Sequence, residues 1–508
     1  MHNTATYSGN LARGFASHND AAEPALLGKE GALYATRLER LVPYAAEFIG
    51  TFLLTTCFLC NLNAESDWAI SAHALLMVGL MSAFGHLSGA NLNPSVSISL
   101  WLSGRRTLWT TLRLCLAQVL GAAASVAAAH WTLRGSLSVK MGPRQGHHAG
   151  DVAAVEVLFT GMICFVYLNC AASPRNNPTG DQNGFAGMAT GFCYIAGGHA
   201  SRGVSGTVMN PAIAFGLQLA DMSETDVNAW AIFYLFWEVV GAFLASGALR
   251  VVRPDEGHKG ASRKAFHSAQ TVAEFAGTYY LVLTKALTHR GSPANESWAV
   301  FAVLLCMICS LRDISGGFFN PAVTLAVSVS HPLGGPGSPI GCRRLVAGVG
   351  AQFLGALAAA STFAAIDQAS LPVRPAQAVN GRAAVFAAEG LFTFLLCFAV
   401  LSTSWPRSPL GTGGSRQNNV AGLAVAGAHF AAGVCIGPVS GSVLNPAQAI
   451  AFAGLGRVAG SGRCSSYLAY VLPQLFGAVL ASLVCSVTHC QLHEEDAGVQ
   501  EEDSREQP

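Results

Sequence analysis

Four Asn-Pro pairs stand in the same small-residue setting: Ser88-Gly-Ala-Asn-Leu-Asn93-Pro94-Ser95, Ser205-Gly-Thr-Val-Met-Asn210-Pro211-Ala212, Ser315-Gly-Gly-Phe-Phe-Asn320-Pro321-Ala322 and Ser440-Gly-Ser-Val-Leu-Asn445-Pro446-Ala447. Asn at the cap followed by Pro at the first helical position is a preferred helix start, because Pro lacks an N–H that would have no partner there. The Asn oxygen accepts from the first turn's amides, which leaves its NH2 to donate outward. The chemistry is therefore hydrogen-bond donation by an uncharged group at the positive end of a helix.

The elements that position these donors are apolar. Of 508 residues, 51% are hydrophobic and only 11% charged, and the mean hydropathy is +0.41. An ordinary soluble enzyme is excluded on that balance, and a membrane protein is indicated. Apolar stretches recur at residues 41–59, 68–84, 108–129, 152–170, 185–198 and 229–249, and again at 269–287, 298–311, 345–366, 383–401, 420–436 and 467–487. A net charge of +1 implies no nucleic-acid partner. The fourteen cysteines lie mostly in the apolar stretches and read as packing residues, and no Cys/His spacing suggests a metal or another cofactor. Residues 1–40 are polar and contain no signal-peptide core.

The chain repeats itself. Asn93 to Asn320 is 227 residues and Asn210 to Asn445 is 235. Ala46-Glu47-Phe48-Ile-Gly50-Thr51 recurs as Ala273-Glu274-Phe275-Ala-Gly277-Thr278, and Glu156-Val-Leu-Phe-Thr160 as Glu389-Gly-Leu-Phe-Thr393. Ala117-Gln118-Val-Leu-Gly121-Ala122 recurs as Ala351-Gln352-Phe-Leu-Gly355-Ala356. Two similar units follow. Within each unit three spans with an Asn-Pro loop are followed by three more with another, and an odd number of spans per half makes the halves inverted. The two helix starts of a unit then approach the midplane from opposite faces. Non-helical backbone at that depth must line a watery cavity or be buried in protein, which predicts a pore through each unit.

With these motifs the chain resembles the aquaporins, the major intrinsic protein family, over roughly residues 41–490. The resemblance implies an all-α membrane protein of two tandem six-helix right-handed bundles, with 12 transmembrane helices and 4 half-helices. Its parts are an N-terminal tail (1–40), a first unit (41–250), a linker (251–267), a second unit (268–489) and an acidic C-terminal tail (490–508), the tails being disordered. It implies a passive, non-enzymatic channel for water and small neutral solutes such as glycerol, urea or ammonia. Asn93 would meet Asn210, and Asn320 would meet Asn445, as the central donor pairs, with Pro94, Ser95, Pro211, Ala212, Pro321, Ala322, Pro446 and Ala447 completing the motifs. Half-helix dipoles would exclude cations and protons there. Glu47, Glu156, Glu274 and Glu389 would brace the loops by accepting backbone N–H bonds.

Departures from the family pattern are informative. An Arg usually sits three residues after the second Asn of a unit, and Ile213 and Gln448 stand there instead, leaving the outer filter without its fixed cation. The other filter positions implied by the resemblance are His73, Gly198 and Thr207 in the first unit and Val300, Gly433 and Ser442 in the second. A mouth wider than that of a strict water channel is expected. A loop side chain such as Arg202 is a candidate to refill the space. At the mouth, titration of His73 would couple conductance to acidity; as a packing residue it would not. His86 faces the other mouth in family terms. Arg312 and Asp313 read either as a paired gate or as a solvated loop pair. Glu238, at the position of Gln118, Gln352 and Gln474, reads as a polar helix contact or as a proton sensor.

Basic residues set the topology. With both termini and the linker cytoplasmic, the inner segments carry about twice as many Lys and Arg as the outer ones. Among these are Arg105, Arg106, Arg250, Arg253, Lys259, Arg343, Arg344, Arg407 and Arg416. Asn295-Glu296-Ser297 then becomes an outer glycosylation candidate. The expected partners are water, small neutral solutes, the lipid bilayer of a plasma or internal membrane, and a second copy of the chain, two tandem chains making a pseudo-tetramer. Two alternatives remain: an alternating-access transporter, and a scaffold in which one unit does not conduct.

Overall fold

The computed structural model describes residues 29–64, 66–134, 141–177, 184–221, 230–257, 262–289, 291–333, 340–367, 381–404, 420–458 and 467–489. The elements among them are helices throughout. The chain divides into two compact bodies, Met1–Tyr194 with Val204–Leu249, and Ile195–Gly203 with Arg250–Pro508.

The first six long helices are α1 (Lys29–Ala64), α2 (Ala69–Ser88), α4 (Leu108–Thr132), α5 (Ala149–Cys170), α6 (Ala186–Ser201) and α8 (Trp230–Val252). Between them lie two short helices, α3 (Pro94–Leu102) and α7 (Pro211–Asp221), each starting at the Pro of an Asn-Pro pair. After the four-residue α9 (Pro254–Gly257) the order repeats. The long helices are α10 (Arg263–Thr288), α11 (Pro293–Ser315), α13 (Cys342–Asp367), α14 (Arg382–Ser404), α15 (Ala421–Ser440) and α17 (Leu468–Thr488), and the short ones are α12 (Pro321–Ser330) and α16 (Pro446–Val458). Two tandem bundles of six spans and two half-helices result. Ten of the long helices are long and apolar enough to cross a bilayer, which makes this an integral multi-pass membrane protein. The other two places are held by α6, with 16 residues, and by α10, which carries Arg263, Lys264, Glu274 and Lys285.

Small residues let the helices approach until backbone meets backbone. A β-carbon at Gly355 would lie 2.5 Å from the Phe275 carbonyl oxygen, locking α13 against α10, and Gly121 makes the same approach to Phe48 between α4 and α1. The apolar outer faces, with Trp109, Leu116, Leu354 and Phe476 exposed, suit a lipid surround.

One expectation needs correction, and two of the positions named above are located. The first helix begins at Lys29, so part of the stretch assigned to a disordered tail is helical. Asn295 of the glycosylation triplet lies in the first turn of α11, and Ser297 is buried. The linker's start is built into the fold, since Arg253 is 1% exposed. Residues 1–28 and 490–508, together with Lys259, Arg407 and Arg416 of the topology argument, lie outside the described residues.

Candidate functional site

All four Asn-Pro loops adopt one geometry. Oδ1 of each Asn caps its half-helix, accepting from Ser95 N at 2.9 Å, Ala212 N at 3.0 Å, Ala322 N at 2.9 Å and Ala447 N at 3.0 Å. The residue before each Asn is left-handed, with φ of 50° at Leu92, 50° at Met209, 53° at Phe319 and 52° at Leu444. Two residues earlier the same holds for Ala90, Thr207, Gly317 and Ser442. For a non-glycine residue this conformation costs about 1–2 kcal/mol, so something must hold it.

Four buried carboxylates do so. Glu47 accepts from Asn91 N and Leu92 N, both at 2.8 Å, and from Ser88 Oγ at 2.7 Å. Glu156 accepts from Val208 N (3.3 Å), Met209 N (2.7 Å) and Ser205 Oγ (2.5 Å). Glu274 takes Phe318 N (3.1 Å), Phe319 N (2.7 Å) and Ser315 Oγ (2.6 Å). Glu389 takes Val443 N (3.0 Å), Leu444 N (2.8 Å) and Ser440 Oγ (2.6 Å). The serine that opens every motif is thus part of the brace. In three loops a glutamine adds a donor: Gln118 to Glu47 at 2.7 Å, and Gln352 to Glu274 and Gln474 to Glu389, each at 2.8 Å. In the fourth, Glu238 lies beside Glu156 and accepts from Asn210 N at 2.8 Å.

The paired loops then exchange side-chain donors. Asn93 Nδ2 donates to Met209 O at 2.9 Å and Asn210 Nδ2 to Leu92 O at 2.9 Å. In the second unit Asn320 Nδ2 donates to Leu444 O at 2.8 Å and Asn445 Nδ2 to Phe319 O at 3.0 Å. One N–H of each asparagine therefore steadies the opposite loop, and only one is left to donate outward. For Asn93 that second N–H points at the Tyr194 hydroxyl, 3.1 Å away. Sequence reasoning passed over Tyr194, although it stands sixteen residues before Asn210 just as His429 stands sixteen before Asn445.

In the second unit Val300, Gly433, Ser442 and Gln448 come together around one cavity of about 350 Å³. His429, Lys285, His289 and Glu296 also line it. Lys285, 6% exposed, donates from Nζ to Gly441 O at 3.0 Å and also to Ser442 O. A fixed cation is thus present although Gln448 supplies none. A lysine inside an apolar span was the available signal.

The first unit differs. His73, 6% exposed, is wedged edge-on between Phe58 and Tyr194, with centroids 5.4 and 5.6 Å away. Ile213 sits in an apolar cluster with Leu59, Val152, Val208, Leu217 and Tyr234. Thr207 is buried in the loop, with a φ of 72°, and Gly198 lies near the end of α6. Arg202 is exposed. Arg144 instead reaches the loop, and its guanidinium lies 2.7 Å from where a β-carbon on Gly206 would be. His86 is exposed. Arg312 and Asp313 do not pair: Asp313 binds Arg253 through two bonds of 2.8 and 3.1 Å, while Arg312 reaches Thr403 O and Ser404 Oγ at 3.4 and 3.5 Å.

The chain matches the Major intrinsic protein family twice, over residues 34–249 and 260–485. It is 29% identical to the lens fiber major intrinsic protein of Gallus gallus over 217 residues, covering 40% of this chain and 77% of that protein. To aquaporin Z of Rhodopseudomonas palustris it is 29% identical over 236 residues, covering 42% and 93% respectively. To aquaporin TIP4-3 of Zea mays the identity is 29% over 224 residues, covering 42% and 82%. Each relative accounts for one unit's worth of sequence, and two braced, capped loops recur in each half. The chain therefore belongs to the major intrinsic protein family, as a tandem of two aquaporin domains in one polypeptide.

Proposed function

We propose that the chain is a passive channel for water and small neutral solutes of the glycerol, urea and ammonia class, with a pore in each unit. The observation that carries this reading is the exchange at Asn320 and Asn445. Each amide spends one N–H on the opposite loop, at 2.8 and 3.0 Å, and keeps the other for a passing solute. Both sit at helix N-termini, whose positive ends oppose cations. Val300, Gly433, Ser442 and Gln448 form the outer filter of the second unit, and His73, Thr207 and Ile213 belong to that of the first. Passage involves no chemical step. Both termini are cytoplasmic, the membrane is the plasma membrane or an internal one, and two chains assemble as a pseudo-tetramer.

Stopped-flow swelling of proteoliposomes tests this. Water and glycerol flux should rise linearly with gradient, and Asn320→Leu should abolish the second unit's share. A saturating flux coupled to an ion gradient would instead indicate an alternating-access transporter. A mass of four chains per particle would refute the pseudo-tetramer.

A second reading concerns the first unit alone, and Tyr194 favours it. The tyrosine hydroxyl takes the outward donor of Asn93, so the first unit conducts poorly or serves mainly as scaffold.

A further inference from the structure

The two domains lack the motif cation at the same register position, yet in both a cation from another element reaches the same loop glycine. Gly206 and Gly441 each follow the serine that opens the second motif of their unit. Arg144 lies over Gly206, and Lys285 donates to the carbonyls of Gly441 and Ser442. The second case is the better defined, because Lys285 is buried against a measurable cavity.

That cavity holds more unspent polarity than packing requires. His429 Nδ1, Ser442 Oγ and Gln448 Nε2 are buried with no hydrogen-bond partner among the described residues, and all three residues line it. His429 is 5% exposed, Ser442 2% and Gln448 1%. Buried polar groups without partners are costly unless a solute or water serves them. The charged groups around the space are Lys285 and Glu296, with His289 beside them. Glu296 stands 3.9 Å from Lys285 and 3.5 Å from His289 and is more exposed than the lysine. The ammonium is therefore the deeper charge, fixed by two carbonyls, and the carboxylate sits nearer the rim.

We propose that Lys285 is the specificity-determining cation of the second unit's outer cavity, and that it turns small cations of the ammonium class away while neutral solutes pass. It takes over electrostatically the place that Gln448 leaves uncharged. At the matching position of the first unit, 227 residues earlier, stands Phe58, so the device belongs to the second unit. The assignment rests on the channel reading, but its charge can be measured without flux.

Gly437 lines the cavity, and a β-carbon there meets nothing within 4 Å. In the full chain in proteoliposomes, Gly437→Cys is modified with anionic and cationic thiosulfonates, and the rates are read on the peptide that carries the introduced thiol. Lys285→Gln should lower the anionic-to-cationic rate ratio by about tenfold, and Glu296→Gln should raise it. Lys285→Arg should leave it nearly unchanged. A lysine that only pinned the loop would alter both rates together and leave the ratio fixed, which would overturn the assignment. If Lys285→Gln fails to fold, Glu296→Gln and Lys285→Arg still decide: a ratio that Glu296→Gln does not raise overturns it. Lys285→Gln vesicles should also admit methylammonium at least severalfold faster while keeping water flux, and Lys285→Gln/Gln448→Arg should close that leak. Retained water flux with no leak would refute the exclusion role. Absent water flux in the unsubstituted chain would sink the channel reading, while a ratio that still responds to Lys285 would leave the cation in place.

Discussion

Asn93 donates to the Tyr194 hydroxyl at 3.1 Å while its other N–H holds Met209 O at 2.9 Å. At the same place in the second unit, His429 lines a cavity, and Asn320 Nδ2 donates to Leu444 O alone among the described residues. The two domains share backbone, caps and braces, yet differ in whether the central donor is already spent. A solute replacing Tyr194 on Asn93 must also compete with a side chain buried at 2% exposure.

Tyr194→Ala is therefore expected to raise the osmotic water permeability per chain by about twofold, the change from one working pore to two. Tyr194→Phe, which frees the N–H but keeps the bulk of the ring, should do much less. Stopped-flow measurements at matched protein density check both.

Glu238 is the odd member of the fourfold brace. Where Gln118, Gln352 and Gln474 each donate an N–H to a bracing carboxylate, Glu238 sets a second buried carboxyl beside Glu156. It still accepts from Asn210 N at 2.8 Å, and an amide oxygen can do that equally well. Glu238 and Glu156 share a side-chain hydrogen bond, so Glu238→Gln, which replaces an O–H donor by an N–H, should change stability by less than about 1 kcal/mol, seen as a nearly unchanged unfolding temperature in detergent. Glu389→Ala, which strips three acceptor contacts from its loop, should cost about 3 kcal/mol or more and lower flux through the second unit.

These contrasts separate what was legible in the chain from what was not. The Asn-Pro loops, and the positions of Glu47, Glu156, Glu274 and Glu389 beside them, follow from local caps and from a register that two duplicated units keep. The partners of Asp313, Gly206 and Gly441 do not, because each joins elements far apart in sequence: Arg253 to Asp313, Arg144 to Gly206, Lys285 to Gly441. Adjacency suggested Arg312 for Asp313, but successive helical residues point away from one another. The motif offset likewise directed attention to Gln448. It could not show that a lysine from the first span of the same unit would reach the cavity that Gln448 lines.

Gly355 tests how closely the second bundle depends on small residues. Its α-carbon faces the Phe275 carbonyl so closely that an added methyl would sit 2.5 Å from that oxygen, and 3.3 Å from Tyr279 N. These are backbone atoms, which cannot swing aside as a side-chain tip would. Phe275 directly follows Glu274, so separating α13 from α10 would also shift the brace under Asn320. Gly355→Ala is expected to destabilise by about 1–3 kcal/mol and to reduce second-unit flux. Gly348→Ala, on the same helix with nothing within 4 Å of its β-carbon, should leave both unchanged.

Arg253 and Asp313 form an enclosed ion pair, with side chains 0% and 9% exposed. The guanidinium makes two bonds to the carboxylate, at 2.8 and 3.1 Å, and a longer one of 3.4 Å to Ser310 O, with Glu256 3.8 Å away. Replacing such a pair as a whole by apolar groups is often neutral, but removing one partner leaves a charge in a dry site. Asp313→Leu is expected to cost about 3–5 kcal/mol, whereas Arg312→Gln, next in sequence but with no bond to that carboxylate, should cost less. Unfolding in detergent measures the difference between them. Equal effects of the two substitutions would return the pairing to Arg312 and Asp313, and a far larger effect at Asp313 fixes the start of the interdomain segment to α11.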